Sequence, residues 1–483
     1  MPALETHIPK KFTIAIIGGG FTGSILAAQL LRRALPDTCV TVIEKQGLPG
    51  RGVAYGTPYS WHLLNVPAGN MSIFPDQPDH FQRWAQENYD SGVDARSFLP
   101  RRIYGEYVES VLLDAALPGG LVWKRDEARS IAPTGGRVEI RLGSGTRMLA
   151  DKVVLALGNF PPSDPLLPGR KEGSSPRYVS FAWSENALAG CEHARSVLLI
   201  GSGLTAVDQV LALWSKEFRG TIHILSRRGL LPHAHKTSAA WPRFWDEDSP
   251  RTIRSLFRLV RREIQRAQRQ GTDWRAVIDS LRPVTAQVWQ SLNITERKRF
   301  LRHVRPYWEV HRHRLAPDIG QLVAHQLESG QIQVHAGHIT NYSETPERVD
   351  VTYRQRGSGE SFTLSVDRVI NCSGPETDCR HLDDPLIASL RRAKLVRPDP
   401  LYLGLEVSPQ GALVGADGQP SGFLYAVGPA RKGMLWESTA VPEIRAQVAA
   451  LAELLLGETV LNERESLVSS TDQGHQHLRV AAD

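Results

Sequence analysis

Apolar positions in this chain follow two periods, and the switch between them marks its main elements. Phe12-Thr13-Ile14-Ala15-Ile16-Ile17 is a continuous β-branched run, which predicts a strand buried on both faces. It breaks at Gly18-Gly19-Gly20-Phe21-Thr22-Gly23, after which Ile25, Leu26, Ala27, Leu30 and Leu31 recur at helical spacing. A second strand pattern, Val40-Thr41-Val42-Ile43, delivers Glu44 about 20 residues beyond the last glycine. Strand, G-x-G-x-x-G turn, helix and strand ending in an acid form a dinucleotide-binding βαβ unit. Gly18 permits the tight turn, Gly20 lets backbone approach a pyrophosphate, and Gly23 lets helix and strand pack closely. The helix N-terminus faces the phosphates with its partial positive charge, and Glu44 stands at the ribose end.

Residues 50–58 are too rich in Gly and Pro for regular structure, and with 63–75 they read as a long functional loop. Helical spacing returns at His80 to Glu87 and at Tyr104 to Ala116, the latter with Tyr107, Val108, Val111 and Leu112 on one face. Alternation from Leu121 onward predicts strands, the last being the apolar run Lys152 to Leu157 that ends in Gly158. Asp367 to Gly374 repeats that pattern, so the two runs are expected where the chain leaves the parent sheet and returns to it.

Between them lies a second unit: the strand Ser196 to Ile200, the turn Gly201-Ser202-Gly203-Leu204-Thr205-Ala206, a helix over Val207 to Trp214, and the strand Thr221 to Leu225. Ser226-Arg227-Arg228 stands where Glu44 stands in the first unit. An acid would repel a 2′-phosphate, whereas Ser226 and Arg227 can hydrogen-bond and pair with it, so this turn is expected to prefer NADP to NAD. Residues 249–305 are helical without strand signals. Near the C-terminus a strand ends at Gly428, and a helix capped by Ser438 or Thr439, with Pro442 in its first turn, runs through Ile444, Val448, Leu451 and Leu455. Its N-terminus is expected to meet the far end of a long cofactor, with Gly428 at the mouth.

The predicted architecture is α/β, with two Rossmann-like dinucleotide-binding domains, the second inserted into the first, and a helical segment. Residues 1–165 form the first part of the outer domain, 190–350 the inserted domain with its helical insertion at about 249–305, 360–460 the completing part, and 461–483 a polar, flexible tail.

Composition narrows the class. Hydrophobic residues make up 41% and charged residues 22%, with no run of 18 apolar residues, which predicts a soluble, cytoplasmic protein. Cys39, Cys191, Cys372 and Cys379 form no C-x-x-C pair and no metal-ligand cluster, so single buried thiols are expected. The net charge of +6 comes mainly from arginines such as those between 251 and 269, which alternate with apolar residues at helical spacing and read as a solvated helix face. Arg305 to Pro317 is dense in His, Arg and aromatics; His311 and His313 point apart on a helix, so no metal is expected. An anion-binding surface and structural ion pairing both remain open there.

Gly18 to Gly23, Gly50 to Tyr55, Leu63 to Pro75, Pro100 to Tyr107, Arg305 to Pro317 and Asn371 to Pro375 together resemble a group of FAD/NAD(P)-binding flavoprotein monooxygenases. That group includes an FAD-dependent urate hydroxylase and the nitrosuccinate-forming aspartate N-monooxygenases. The resemblance implies that Gly18, Gly20, Gly23 and Glu44 contact FAD, and that Gly201, Gly203, Ser226 and Arg227 contact NAD(P)H. It further implies that NADPH reduces the flavin and that a C4a-hydroperoxyflavin hydroxylates a small, anionic substrate. Urate, giving 5-hydroxyisourate, is the leading expectation; N-hydroxylation of aspartate or another small amino acid is the alternative. A disulfide reductase would share both folds but needs a redox-active cysteine pair. A non-catalytic flavin-binding sensor is the reading from another class. No nucleic-acid or membrane partner is expected.

Overall fold

The computed structural model describes residues 11–457 except 34–36, 47, 117–119, 166 and 171–174. The tail expected at 461–483 lies outside the described residues. Strand β1 (Phe12–Ile17) runs into helix α1 (Phe21–Leu31) and returns as β2 (Thr38–Glu44). Ten of the eleven α1 residues are buried, so this helix is apolar all round and is enclosed by its neighbours. The loop expected to be irregular at 50–58 contains a single helical turn, α2 (Gly52–Tyr55), before α3 (His80–Asn88) and α4 (Arg101–Ala116). Strand β3 (Leu121–Arg125) joins the sheet edge. An antiparallel flap of β4 (Ala128–Thr134), β5 (Arg137–Leu142) and β6 (Arg147–Ala150) follows, and β7 (Lys152–Leu155) returns to the centre.

The chain then builds a second sheet from β8 (Tyr178–Val179), β9 (Ser196–Ile200), helix α5 (Leu204–Ser215) and β10 (Thr221–Ser226). A helical layer interrupts it: α6 (Ile253–Arg269), α7 (Trp274–Ser280), α8 (Thr285–Ser291), α9 (Ile294–Arg299), a π-helical stretch over Phe300–Val304, and α10 (Arg305–Arg312). Helix α11 (Pro317–Glu328) leads back into β11 (Ile332–Glu344), β12 (Val349–Gln355), β13 (Ser361–Val366) and β14 (Arg368–Asn371). After α12 (Pro385–Arg392), strands β15 (Ala412–Val414) and β16 (Pro420–Ala426) rejoin the first sheet. A short turn α13 (Lys432–Leu435) then precedes the final helix α14, over 441–457.

The first sheet has the order β15-β16-β7-β1-β2-β3, and every neighbour is parallel except β15 against β16. One face packs on α1, α4 and α14 around Ile14, Ile16, Tyr104 and Val448; the other packs on the flap and α12 around Ala15, Ile17, Ile140 and Leu390. The second sheet runs β13-β12-β11-β10-β9-β14-β8, with α5 and α11 on one face.

The run Arg368–Asn371 does not return to the parent sheet as expected. It is β14, lying parallel to β9 with Val369 opposite Leu198 and Ile370 opposite Leu199, all fully buried. With β8 on its other side, the inserted sheet reaches from 178 to 371, wider at both ends than the expected 190–350. The parent sheet resumes only at β15.

Candidate functional site

The two glycine turns lie at the carboxyl ends of β1 and β9 and are built alike. Gly18 has φ +102, and a Cβ there would strike the Ala156 carbonyl just beyond β7; a Cβ on Gly23 would strike the Gly18 carbonyl. Gly20 faces Gly52 in α2, whose Cα lies 3.5 Å from where a Gly20 Cβ would stand. Glu44 turns back over the first turn: one carboxylate oxygen accepts the Gly19 N–H at 2.7 Å and the other accepts the Gln46 N–H at 2.7 Å. An ionised carboxylate has about four lone-pair directions, so Glu44 keeps capacity for a hydroxyl.

Across the sheet, Gly428 has φ +81 and lies against Thr22 in the first turn of α1; its N–H donates to Gln447 Oε1 at 3.0 Å. Gln447 Nε2 and Ser438 Oγ, both buried, have no hydrogen-bond partner among the described residues. Buried polar atoms left in this way cost free energy unless a ligand meets them.

In the second turn Gly201 has φ +110, and a Cβ there would strike the Cys372 carbonyl beyond β14. A Cβ on Gly203 would meet nothing within 4 Å, so backbone at the start of α5 faces open space. Ser226 Oγ lies 2.8 Å from Ser202 Oγ and accepts the Gly229 N–H at 3.0 Å. Arg227 is exposed and makes no side-chain hydrogen bond or ion pair among the described residues. Its neighbour Arg228 donates to the Tyr307 hydroxyl at 3.1 Å and lies over that ring at 5.0 Å. These groups fit a dinucleotide phosphate and a 2′-phosphate.

Between the two folds, polar contacts lie among apolar side chains such as Leu63, Leu204 and Leu315. Arg101 of α4 pairs with Asp208 of α5 at 3.0 Å and also donates to the Leu63 carbonyl at 3.1 Å. His62 is held between Thr57 Oγ1 at 2.7 Å and the Asp208 carbonyl at 2.8 Å, and burial pushes its pKa below the usual imidazole value. His235 reaches the Asn65 carbonyl at 3.0 Å, and its pKa is pushed down to about 4 by burial first and by Arg314 second. The loop 63–75 is thus fixed by both folds, with Leu64, Met71, Ile73 and Phe74 buried. The contact that joins His62 to Asp208 carries no local signal, since the two lie 146 positions apart.

In the Arg-His segment, Arg305, Arg312 and Arg314 are ion-paired. Arg312 and Arg282 share Glu443, in the first turn of α14; Arg314 pairs with Asp279, and Arg305 with Glu309 at 3.1 Å. Glu437 accepts from Trp308 Nε1 at 2.9 Å and pairs with His313 at 3.3 Å, and it is held well below the usual carboxylate range. His311 packs against His233 and Trp274, away from His313. Among the described residues no group of three or more His, Cys, Asp or Glu could hold a metal ion.

Two sheets with parallel centres and antiparallel edges, one interrupting the other and each opening on a glycine turn, define the FAD/NAD(P)-binding fold of flavin monooxygenases and reductases. A family model described as FAD-NAD(P)-binding matches residues 15–160. The chain is similar in structure to ornithine hydroxylase from Pseudomonas aeruginosa, at 16% identity over 92% of this chain and 99% of that one, with a TM-score of 0.63. L-lysine 6-monooxygenase from Pseudomonas syringae gives 17% identity over 92% and 99%, with a TM-score of 0.64. Thioredoxin reductase from Lactococcus lactis also matches, at 13% identity over 94% and 100%, with a TM-score of 0.52. No curated protein sequence matches the chain.

Proposed function

We propose that this chain is an FAD-dependent, NADPH-consuming monooxygenase that hydroxylates the nitrogen of a small amino acid or related amine. The observation that carries this reading is the pair of glycine turns on two interleaved sheets, with no cysteine pair to receive electrons. Gly18, Gly20, Gly23 and Glu44 would hold the adenosine diphosphate half of FAD, with Gly428 and Gln447 toward its far end. Gly201, Gly203, Ser226 and Arg227 would hold NADPH. When bound, the flavin supplies hydride acceptance and transfer of an oxygen atom from O2. The chain's own task is to orient the partners and exclude water, which the buried, hydrogen-bonded side chains of His62, Arg101 and Asp208 suit.

A disulfide reductase shares the fold but not the thiols. Cys372 lies in the core of the second fold and Cys379 in that of the first; burial pushes both thiols up, Cys379 to about 11. Thiols so placed are poor nucleophiles.

An amine nitrogen is better supported as the target than urate, the leading expectation from the sequence. The similar monooxygenases named above act on ornithine and lysine, and none of the structures named acts on urate. The arginines expected to bind an anion, Arg305, Arg312 and Arg314, are taken up by Glu309, Glu443 and Asp279. The test is coupled NADPH oxidation and label incorporation under 18O2 with ornithine, lysine, aspartate and urate. A labelled hydroxylamine is the expected product; labelled urate product, or peroxide release with every substrate, overturns the reading.

A further inference from the structure

Helix α6 has seventeen residues, and its two sides are chemically opposite. Leu256, Glu263 and Ala267 are buried against the rest of the helical layer, with Trp241 Nε1 donating to Glu263 at 3.3 Å. The outer side carries Arg254, Arg258, Arg261, Arg262, Arg266 and Arg269, all exposed. At 100° per residue they fall within an arc about 140° wide, along a helix about 25 Å long. Arg266 pairs with Glu263 at 3.3 Å and Arg261 lies over Phe257. Arg254, Arg258, Arg262 and Arg269 make no ion pair or side-chain hydrogen bond among the described residues.

This ridge works against the helix that bears it. Arg254 with Arg258, Arg258 with Arg262, and Arg262 with Arg266 are like-charge pairs at i, i+4, each of them destabilising. Only Arg266 and Arg269 lie in the last turn, where the helix dipole favours a cation. The concentration also exceeds the chain's own balance. Residues 251–305 hold fourteen Lys or Arg against four Asp or Glu, more than the +6 of the whole chain, so the remainder is net negative. A solvated face would be served by mixed charges; a face of one sign is suited to a surface of the opposite sign.

We propose that the exposed face of α6 docks this protein on an anionic phospholipid surface. Every cation on it is an arginine, whose planar fork matches phosphate oxygens two at a time. The arginines share one side of a single helix whose other side is held in the protein by Leu256, Glu263 and Ala267, the arrangement of a helix lying along a lipid surface. Phe257, 47% exposed at its border, and Ile294, 43% exposed at the start of neighbouring α9, supply the apolar contact that an interfacial face uses. No helix among the described residues is long and apolar enough to cross a membrane, so the attachment is peripheral.

The experiment is co-sedimentation of the full chain, loaded with its flavin, with phosphatidylglycerol or phosphatidylcholine vesicles at low and moderate salt. Binding is expected to phosphatidylglycerol alone and to weaken as salt rises. Near an anionic surface each arginine contributes about a fivefold factor, so Arg254→Glu/Arg258→Glu/Arg262→Glu should lower partitioning by about a hundredfold or more. Because those three side chains are exposed and unpaired, the variant should keep its melting temperature. Equal binding to both lipids, no binding to phosphatidylglycerol, unchanged binding by the triple variant, or preference for duplex nucleic acid or polyglutamate at the same salt overturns the proposal.

Discussion

Arg227 and Glu44 occupy corresponding strand ends in the two folds, yet they are placed differently. Glu44 is held by two backbone N–H groups, whereas Arg227 is exposed and makes no side-chain hydrogen bond or ion pair among the described residues. Arg227→Ala should therefore remove a charge-assisted contact of about 1.5 to 3 kcal/mol, raising the KM for NADPH roughly 10- to 150-fold and leaving NADH nearly unchanged. Steady-state kinetics with both cofactors decides this, and equal losses would show that Arg227 does not read the 2′-phosphate. His235 makes a different prediction. Its folded pKa near 4 lies below the usual 6.5, so between those values the unfolded chain takes a proton that the folded chain refuses. Stability should fall as pH drops from 6.5 to 4, by at most about 3 kcal/mol from this group. A thermal midpoint that falls less steeply over that window in His235→Gln is the expected result. The glycine turns and Glu44 were legible in the sequence because turn chemistry is local. The Arg101–Asp208 pair was not, since nothing near either residue names its partner.

Among elements, α14 shows how a helix start is put to use. Its first turn carries Glu443, which accepts from both Arg282 and Arg312, with side chains only 17%, 23% and 7% exposed. Glu443→Gln leaves two cations in a poorly hydrated place and should cost about 3 to 5 kcal/mol, more than Arg282→Met, which removes one partner and leaves Glu443 paired with Arg312. Urea midpoints of the two variants would reverse that order if Glu443 were incidental. Apolar spacing and Pro442 mark the helix in the sequence; the arginines that pair with its first turn come from 131 and 161 residues earlier, beyond any local pattern. Strand β14 was legible as a strand and misassigned as to sheet for a related reason. Runs buried on both faces look alike, and only the pairing of Val369 and Ile370 with β9 settles which sheet takes them.

For the whole molecule, one contact between the two folds is a nearly buried ion pair. Arg101 and Asp208 are 13% and 8% exposed, and each comes from a different sheet's helix. Asp208→Asn should be more destabilising than the double replacement Arg101→Met/Asp208→Leu, because a lone buried guanidinium is worse than an apolar pair. Melting temperatures of the three proteins check this; the double variant melting lowest would mean that the ion pair itself is favourable. Interleaving was legible because two similar units lay inside one set of strand signals. Where the chain crosses between sheets was not, since that depends on contacts across nearly 200 residues.

The same interleaving bears on how the chain is made. Strand β7 is paired on one side with β1 and on the other with β16, whose residues 420–426 are synthesised some 265 positions later. At about 5 to 20 residues per second, that interval is roughly 13 to 53 s on the ribosome. Throughout it the inserted sheet can complete itself, since its last strand ends at Asn371, while the outer sheet waits with the edge of β7 bare. A bare parallel edge invites pairing with another nascent chain, so this is the stage at which a chaperone has most to shield and a stalled ribosome does most harm.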